Sequence, residues 1–272
     1  MLLLEANIVE QISSVGTHPP HVEQPLLAAR GSEAAATAAA AAEHGGSGVE
    51  PGLRCELLPQ LEGGGGDEQR AGWRTVPARC VLYIESYMLG GQYDRDVETA
   101  VECIVGYADG LVVGDDGMDA WVLDVDDTCL SNLLYYQGKQ FGYGAPFDPT
   151  AFKSWARRGI CPAIPQVLIL YKKLLERGYK VFLLTGRDQE TLGATTTSNL
   201  ILQGFIGHER IFMRNKTYRG QGAVAFKSTI RKQLVAEGYR IRGNVGDQWS
   251  DLQGDCVGDR IFKIPNPMYF VP

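Results

Sequence analysis

Histidine, clustered cysteine, long apolar runs and cationic surplus are all scarce in this chain, and each scarcity removes a class of chemistry or partner. Of four histidines only His208 lies beyond residue 72, and the six cysteines (Cys55, Cys80, Cys103, Cys129, Cys161 and Cys256) form no CxxC pair. A zinc cluster is therefore not expected. No stretch reaches the roughly 18 apolar residues of a membrane span, so no membrane partner is expected. Lysine and arginine number 26 against 32 acids. Residues 1–72 hold Arg30, Arg54 and Arg70 against ten acids, a net −7, which leaves residues 73–272 at +1. With no basic surplus to neutralise phosphates along a backbone, no nucleic-acid partner is expected. The scattered cysteines fit either disulfides in an oxidising compartment or free thiols in a reducing one.

Aromatic residues are missing from the first 72 positions and begin at Trp73. That segment instead carries an alanine tract over 34–42, broken by Thr37, and a glycine run, Gly63 to Gly66. Too few bulky apolar side chains are present to offset chain entropy, so 1–72 is expected to be a disordered, acidic, Ala/Gly-rich segment. Met1 to Leu4 stops at Glu5, and Glu33 and Glu43 flank the weakly hydrophobic alanine tract. No signal peptide is read there.

The folded part is expected over 73–272. Residues 81–110 have helical spacing of apolar positions interrupted by Gly90 and Gly91, which predicts two helices or one broken helix. Ala120 to Val125 is a buried strand candidate. Pro165 to Arg177, Gln189 to Leu202 and Lys227 to Glu237 read as helices. Lys180 to Leu184, Ile211 to Met213, Ile241 to Val245 and Arg260 to Ile264 read as strands. This alternation calls for an α/β fold, a mainly parallel sheet with helices on both faces. Residues 131–164, rich in glycine, proline and aromatics, interrupt it as a long insertion of the kind that covers a site in α/β proteins.

Four features stand at consecutive strand or helix ends. Asp124, Asp126 and Asp127 crowd three carboxylates into four residues where a strand leaves the core, a costly arrangement unless a cation compensates. Thr185-Gly186-Arg187 supplies a hydroxyl donor, a glycine permitting close backbone approach and the start of a helix, all suited to an anion. Lys227 falls at a predicted helix start, where an ammonium needs a nearby anion. Asp247 and Asp251, four apart after the next strand, would share one side of a helical turn.

In this order the features resemble the four motifs of the haloacid dehalogenase-like phosphohydrolase superfamily: DVDDT at 124–128, Thr185, Lys227 and GDQWSD at 246–251. More narrowly, 73–272 is similar to the plant class B acid phosphatase and vegetative storage protein family. That resemblance is carried by WVLDVDDTCLSNLLYY, FKSWA, CPAIP, FLLTGRD, TLGAT, YRIRGNVGDQWSDL and FKIPNPMYFVP. It implies a Rossmann-like core with a small cap-like insertion and a magnesium-dependent acid phosphatase acting on small phosphomonoesters. It also implies secretion or vacuolar delivery, and a homodimer is compatible with it.

The resemblance further implies catalytic roles for Asp124 as nucleophile, Asp126 as general acid and base, and Thr185 and Lys227 as stabilisers of the transferring phosphoryl group. Substrate contacts would come from Asp127, Gly186 and Arg187. Magnesium would be held by the side chains of Asp124 and Asp247, the carbonyl of Asp126, and Asp251 through water. Neighbouring carboxylates are expected to raise the Asp126 pKa, with magnesium and Lys227 opposing them. The competing expectation is a vegetative storage protein with weak or no phosphatase activity. Loss of the nucleophile would favour it, and Asp124 is present. A phosphohistidine mechanism or a dinuclear purple-type site would need more histidine than His208.

Overall fold

The computed structural model describes Val76 and residues 78–142 and 147–271. The segment 1–72 and the expected start near Trp73 lie outside the described residues. Gly90 and Gly91 divide the N-terminal helical part into α1 (Val81–Leu89) and α2 (Gln92–Asp109). Gly91 has φ of 84°, a left-handed backbone that a side chain would strain. Ile84 and Met88 of α1 thereby join Val97, Val101 and Ile104 of α2 in one core. Cys80, just before α1, is disulfide-bonded, while Cys103, Cys129, Cys161 and Cys256 are free.

Five strands follow: β1 (Asp119–Leu123), β2 (Lys180–Asp188), β3 (Arg210–Arg214), β4 (Arg240–Gly246) and β5 (Ile261–Lys263). Their order is β3-β2-β1-β4-β5 and every pairing is parallel. Parallel neighbours need crossover connections, and here these contain α5 (Pro165–Glu176), α6 (Gln189–Leu202), α7 (Ala223–Ala236) and α8 (Trp249–Leu252). Alternate strand residues face opposite ways. Trp121, Leu123, Val181 and Leu183 pack with α2 and α5, and Ala120, Val122, Phe182 and Leu184 pack with Phe226, Ile230 and Leu234 of α7. Gly243 lies beside the fully buried Trp121, whose ring occupies the place a Cβ at 243 would take.

Two boundaries differ from expectation by four residues. β2 does not stop at Leu184 but continues through Thr185-Gly186-Arg187 to Asp188, with its pairing to β3 irregular between Thr185 and Asp188. The following helix begins at Gln189, where the Asp188 carboxylate accepts the N–H of Thr191 at 2.9 Å. That acid fills the helix N-terminus expected to receive an anion. The helix expected from Lys227 starts at Ala223 after Gly222. Apolar residues 223–226 carry no side-chain cap to mark the start, and Lys227 falls in the second turn.

The insertion 131–164 contains α3 (Leu133–Gly138), a 3-10 turn at Gln140–Gly142 and α4 (Pro149–Ala156), which is capped by Asp148. Its two ends pair antiparallel: Ser131 N–H donates to Pro162 O at 2.8 Å and Ile164 N–H to Cys129 O at 3.0 Å. Tyr135 packs against Phe152 and Trp155 inside it. Among the described residues no helix is long and apolar enough to cross a membrane.

Candidate active site

β1 ends at Leu123, and the next residue, Asp124, still donates its N–H to Val245 O at 2.9 Å. The Asp124 carboxylate thus sits at the carboxyl edge of the sheet, between β2 and β4. Lys227 reaches it from α7, with Nζ 2.5 Å from Oδ1 of Asp124 and 2.5 Å from Oδ1 of Asp251. Asp251 occupies the first turn of α8, and its Oδ2 accepts the Gln248 N–H at 2.8 Å. Gly246 makes room for it, because a Cβ there would lie 2.8 Å from Cγ of Asp251. The buried Arg231 guanidinium donates to the carbonyls of Asp251, Gln253 and Asp255 at 2.8, 2.5 and 3.0 Å. It satisfies acceptors that the short α8 leaves open at its end.

Asp124, Asp247 and Asp251 each place a carboxylate oxygen within 4.8 Å of the others, and all three are buried. Lys227 touches two of the three carboxylates and Lys263 acts on Asp247 and Asp251 from further off, so two ammoniums face three carboxylates and the pocket is still short of positive charge. Burial, together with Asp251 and Asp247, raises Asp124 well above the usual carboxylate range against the pull of Lys227. Asp247 is pushed up to about 6, by burial first and Asp251 second. Lys227 is raised despite burial because Asp124 and Asp251 hold its proton. A buried, oxygen-only donor set deficient in positive charge fits a hard divalent cation. The three residues expected to act through their side chains converge here; Asp126, expected to offer its backbone carbonyl, directs its side chain to Arg187.

Asp126 faces Arg187. The guanidinium donates Nε–H to both carboxylate oxygens, at 3.0 and 3.1 Å, and Nη2–H to Oδ1 at 2.7 Å. Asn132 Nδ2 adds a bond at 2.9 Å and the Thr185 hydroxyl one at 3.3 Å. Burial raises the Asp126 pKa, but the Arg187 ion pair and these donors outweigh it and hold the carboxyl below its ordinary range. The expected rise from neighbouring carboxylates is reversed because Arg187, not Lys227, is the cation that meets it.

The expected substrate contacts change accordingly. Arg187 has only 1% of its side chain exposed and is locked to Asp126, Thr196 and the Cys161 thiol, so it holds the acid rather than meeting substrate. Asp127, at φ 55°, gives its N–H to Leu130 O. Its carboxylate is bound by Asn132 and by the Tyr269 hydroxyl, at 2.7 Å each. It braces the loop with its backbone donor already spent, and burial followed by Asp247 pushes its carboxyl up to about 7. Gly186 is exposed and nothing lies within 4 Å of where its Cβ would be. Thr185 is fully buried, with its Oγ1 bridging Asp126 and the Arg187 N–H.

Several residues were not singled out from the sequence. Asn132 is fully buried and links Asp126 and Asp127 to Trp155 Nε1 at 3.0 Å and the Cys161 thiol at 3.5 Å. Thr128, Gln248, Asn266 and Tyr269 surround Asp247. The local signals were slight: an asparagine five residues past the carboxylates, and a PNPMY segment whose prolines stop regular structure.

Residues 65–272 match the family model described as HAD superfamily, subfamily IIIB (acid phosphatase). Acid phosphatase 1 of Solanum lycopersicum is 42% identical over 199 residues, covering 73% of this chain and 77% of that protein. Vegetative storage protein 1 of Arabidopsis thaliana is 39% identical over 202 residues, covering 73% of each. The fold is shared with the class C acid phosphatase from Bacillus anthracis, at a TM-score of 0.58 and 20% identity over 70% of this chain and 84% of that one. Sequence match and parallel-sheet architecture agree, and the chain belongs to subfamily IIIB of the HAD superfamily, the acid phosphatase subfamily.

Proposed function

We propose that this chain is a magnesium-dependent acid phosphatase that hydrolyses small phosphate monoesters through an aspartyl-phosphate on Asp124. The observation that carries this reading is the meeting of Lys227 with both Asp124 and Asp251 in one buried pocket that also takes in Asp247. Asp124, Asp247 and Asp251, with the Asp126 carbonyl, would hold magnesium, which when bound offsets the repulsion between carboxylate and phosphate dianion.

An Asp124 oxygen attacks phosphorus as the bond to the leaving oxygen breaks, dividing one displacement into two easier ones. Asp126 gives its proton to that leaving oxygen and then takes one from the water that releases inorganic phosphate. Lys227 neutralises the nucleophile and the transferring group, and the Thr185 hydroxyl, which donates to Asp126 in the substrate-free chain, would turn to a phosphoryl oxygen. Because Arg187 holds Asp126 low, its proton-bearing form is populated only in acid, which supports an acidic optimum.

Asp124→Asn replaces the nucleophile with a poor one of the same shape, so hydrolysis of p-nitrophenyl phosphate is expected to vanish while the fold remains. Chelation is expected to inactivate the wild-type chain and added magnesium to restore it. Turnover by Asp124→Asn near the wild-type rate would remove the mechanism. The storage reading is supported by relatives named vegetative storage proteins. It would prevail if the wild-type chain turned over no phosphomonoester.

A further inference from the structure

The last residues of the chain return to the carboxyl edge of the sheet after β5. Asp247 Oδ2 accepts Asn266 Nδ2 at 2.7 Å and Gln248 Nε2 at 2.9 Å, with the Tyr269 hydroxyl at 3.5 Å. Asp247 Oδ1 receives only the Thr128 hydroxyl, at 3.2 Å. Each carboxylate oxygen offers about two lone pairs, so Oδ2 is filled and Oδ1 retains capacity. The donors are themselves fixed. Asn266 Oδ1 accepts the Met268 N–H at 2.9 Å, which turns its amide nitrogen toward Asp247. Gln248 is gripped at both ends of its amide, Nε2 donating to Tyr269 O at 3.3 Å and Oε1 accepting the Val271 N–H at 3.0 Å. The single hydroxyl proton of Tyr269 goes to Asp127 Oδ2 at 2.7 Å, leaving its 3.5 Å approach to Asp247 the weaker contact, and its ring stacks on Tyr136 of the insertion at 4.8 Å.

We propose that residues 266–271 form a strap that orients the Asp247 carboxylate, presenting Oδ1 to the divalent cation, with Asn266 and Tyr269 as positioning residues. The inference rests on the magnesium reading above. Magnesium tolerates little departure from octahedral geometry, so a carboxylate free to rotate binds it less well than one held by outer hydrogen bonds. The strap also ties the insertion to the metal pocket, through the stacked Tyr136 and Tyr269 rings.

The test is magnesium binding to the full-length chain by calorimetry without substrate, together with melting temperature with and without magnesium, for wild type, Asn266→Ala and Tyr269→Phe. The expected result is a magnesium Kd weakened roughly 10- to 100-fold in Asn266→Ala, as outer hydrogen-bond losses generally cause. A smaller weakening is expected in Tyr269→Phe, which loses one hydroxyl and keeps the ring stack. Magnesium should then raise the melting temperature of each variant less than that of wild type. Variants that melt lower without metal yet bind magnesium with the wild-type Kd would overturn the strap and leave a purely structural tail. Should Asn266→Ala fail to fold, Tyr269→Phe alone decides, an unchanged Kd counting against the strap. Absence of magnesium binding by wild type would overturn the metal reading itself and the strap with it.

Discussion

Arg187 decides the character of Asp126. A carboxylate at this edge is pushed up where burial and neighbouring carboxylates outweigh the nearby ammonium, as at Asp124 and Asp247; a forked guanidinium reverses the direction. The pair is asymmetric in exposure, Arg187 at 1% and Asp126 at 19% of the side chain. The cation is therefore scaffold, and the acid keeps one side open to the pocket. Arg187→Met keeps much of the volume and removes the charge. Asp126 then loses its largest opposing influence and its pKa rises. A general acid works in its protonated form, so the alkaline limb of the kcat/KM profile is expected to move to higher pH. Breaking a buried pair by removing one partner costs about 3 kcal/mol, so stability to urea should fall in parallel. An alkaline limb that stays in place despite the stability loss would assign the acid role to another group.

At the scale of strands and helices, what was legible in the sequence is what local chemistry dictates. Apolar runs ending in Asp124 and Asp247 had to be strands leaving a core, because such acids cannot remain inside it unpaired. The helix Gln189–Leu202 has the expected bounds, Gly204 following its end, while the Asp188 cap at its start is visible only in the structure. Less legible were features set by distant partners. Thr185-Gly186-Arg187 looks like a turn, yet Met213 and Arg214 of β3 keep it extended. Nothing in the PNPMY segment says that Tyr269 meets Asp127, 142 positions away. Glycines on β4 show the difference between holding the core and holding the site. Gly243→Ala would drive a methyl into the Trp121 ring and Gly246→Ala one into Asp251. Each is expected to cost about 1–3 kcal/mol by overpacking. Only Gly246→Ala should also lower kcat, by roughly a hundredfold for a displacement near 1 Å. Measuring kcat and chemical denaturation for both variants checks this, and equal kcat losses would contradict it.

Over the whole molecule the acids fall into two sets of opposite pH dependence. Although Arg187 holds Asp126 down at the carboxyl edge, burial raises Asp127 there to about 7 and Asp247 to about 6, against about 4 for an unfolded aspartate. In the chain free of divalent ion these groups stabilise the fold fully below about pH 4, and that contribution drains away as pH rises toward 7. At the amino edge Asp119 is depressed: Arg240 Nε donates to it at 2.8 Å, with burial opposing and the Gly114 N–H adding a bond at 2.7 Å. Its contribution is present above about pH 4 and is lost as pH falls through its lowered folded value. The melting temperature of the metal-free chain is therefore expected to peak between about pH 4 and 5. Asp119→Asn should lower stability at and above the peak and flatten the fall on its acid side. Magnesium should flatten the fall on the neutral side alone, by favouring ionised Asp247. Thermal melts of both chains from pH 2 to 8, with and without magnesium, measure each arm separately. A metal-free melting temperature still climbing from pH 5 to 7 would mean that the crowded carboxylates do not share protons as their burial requires.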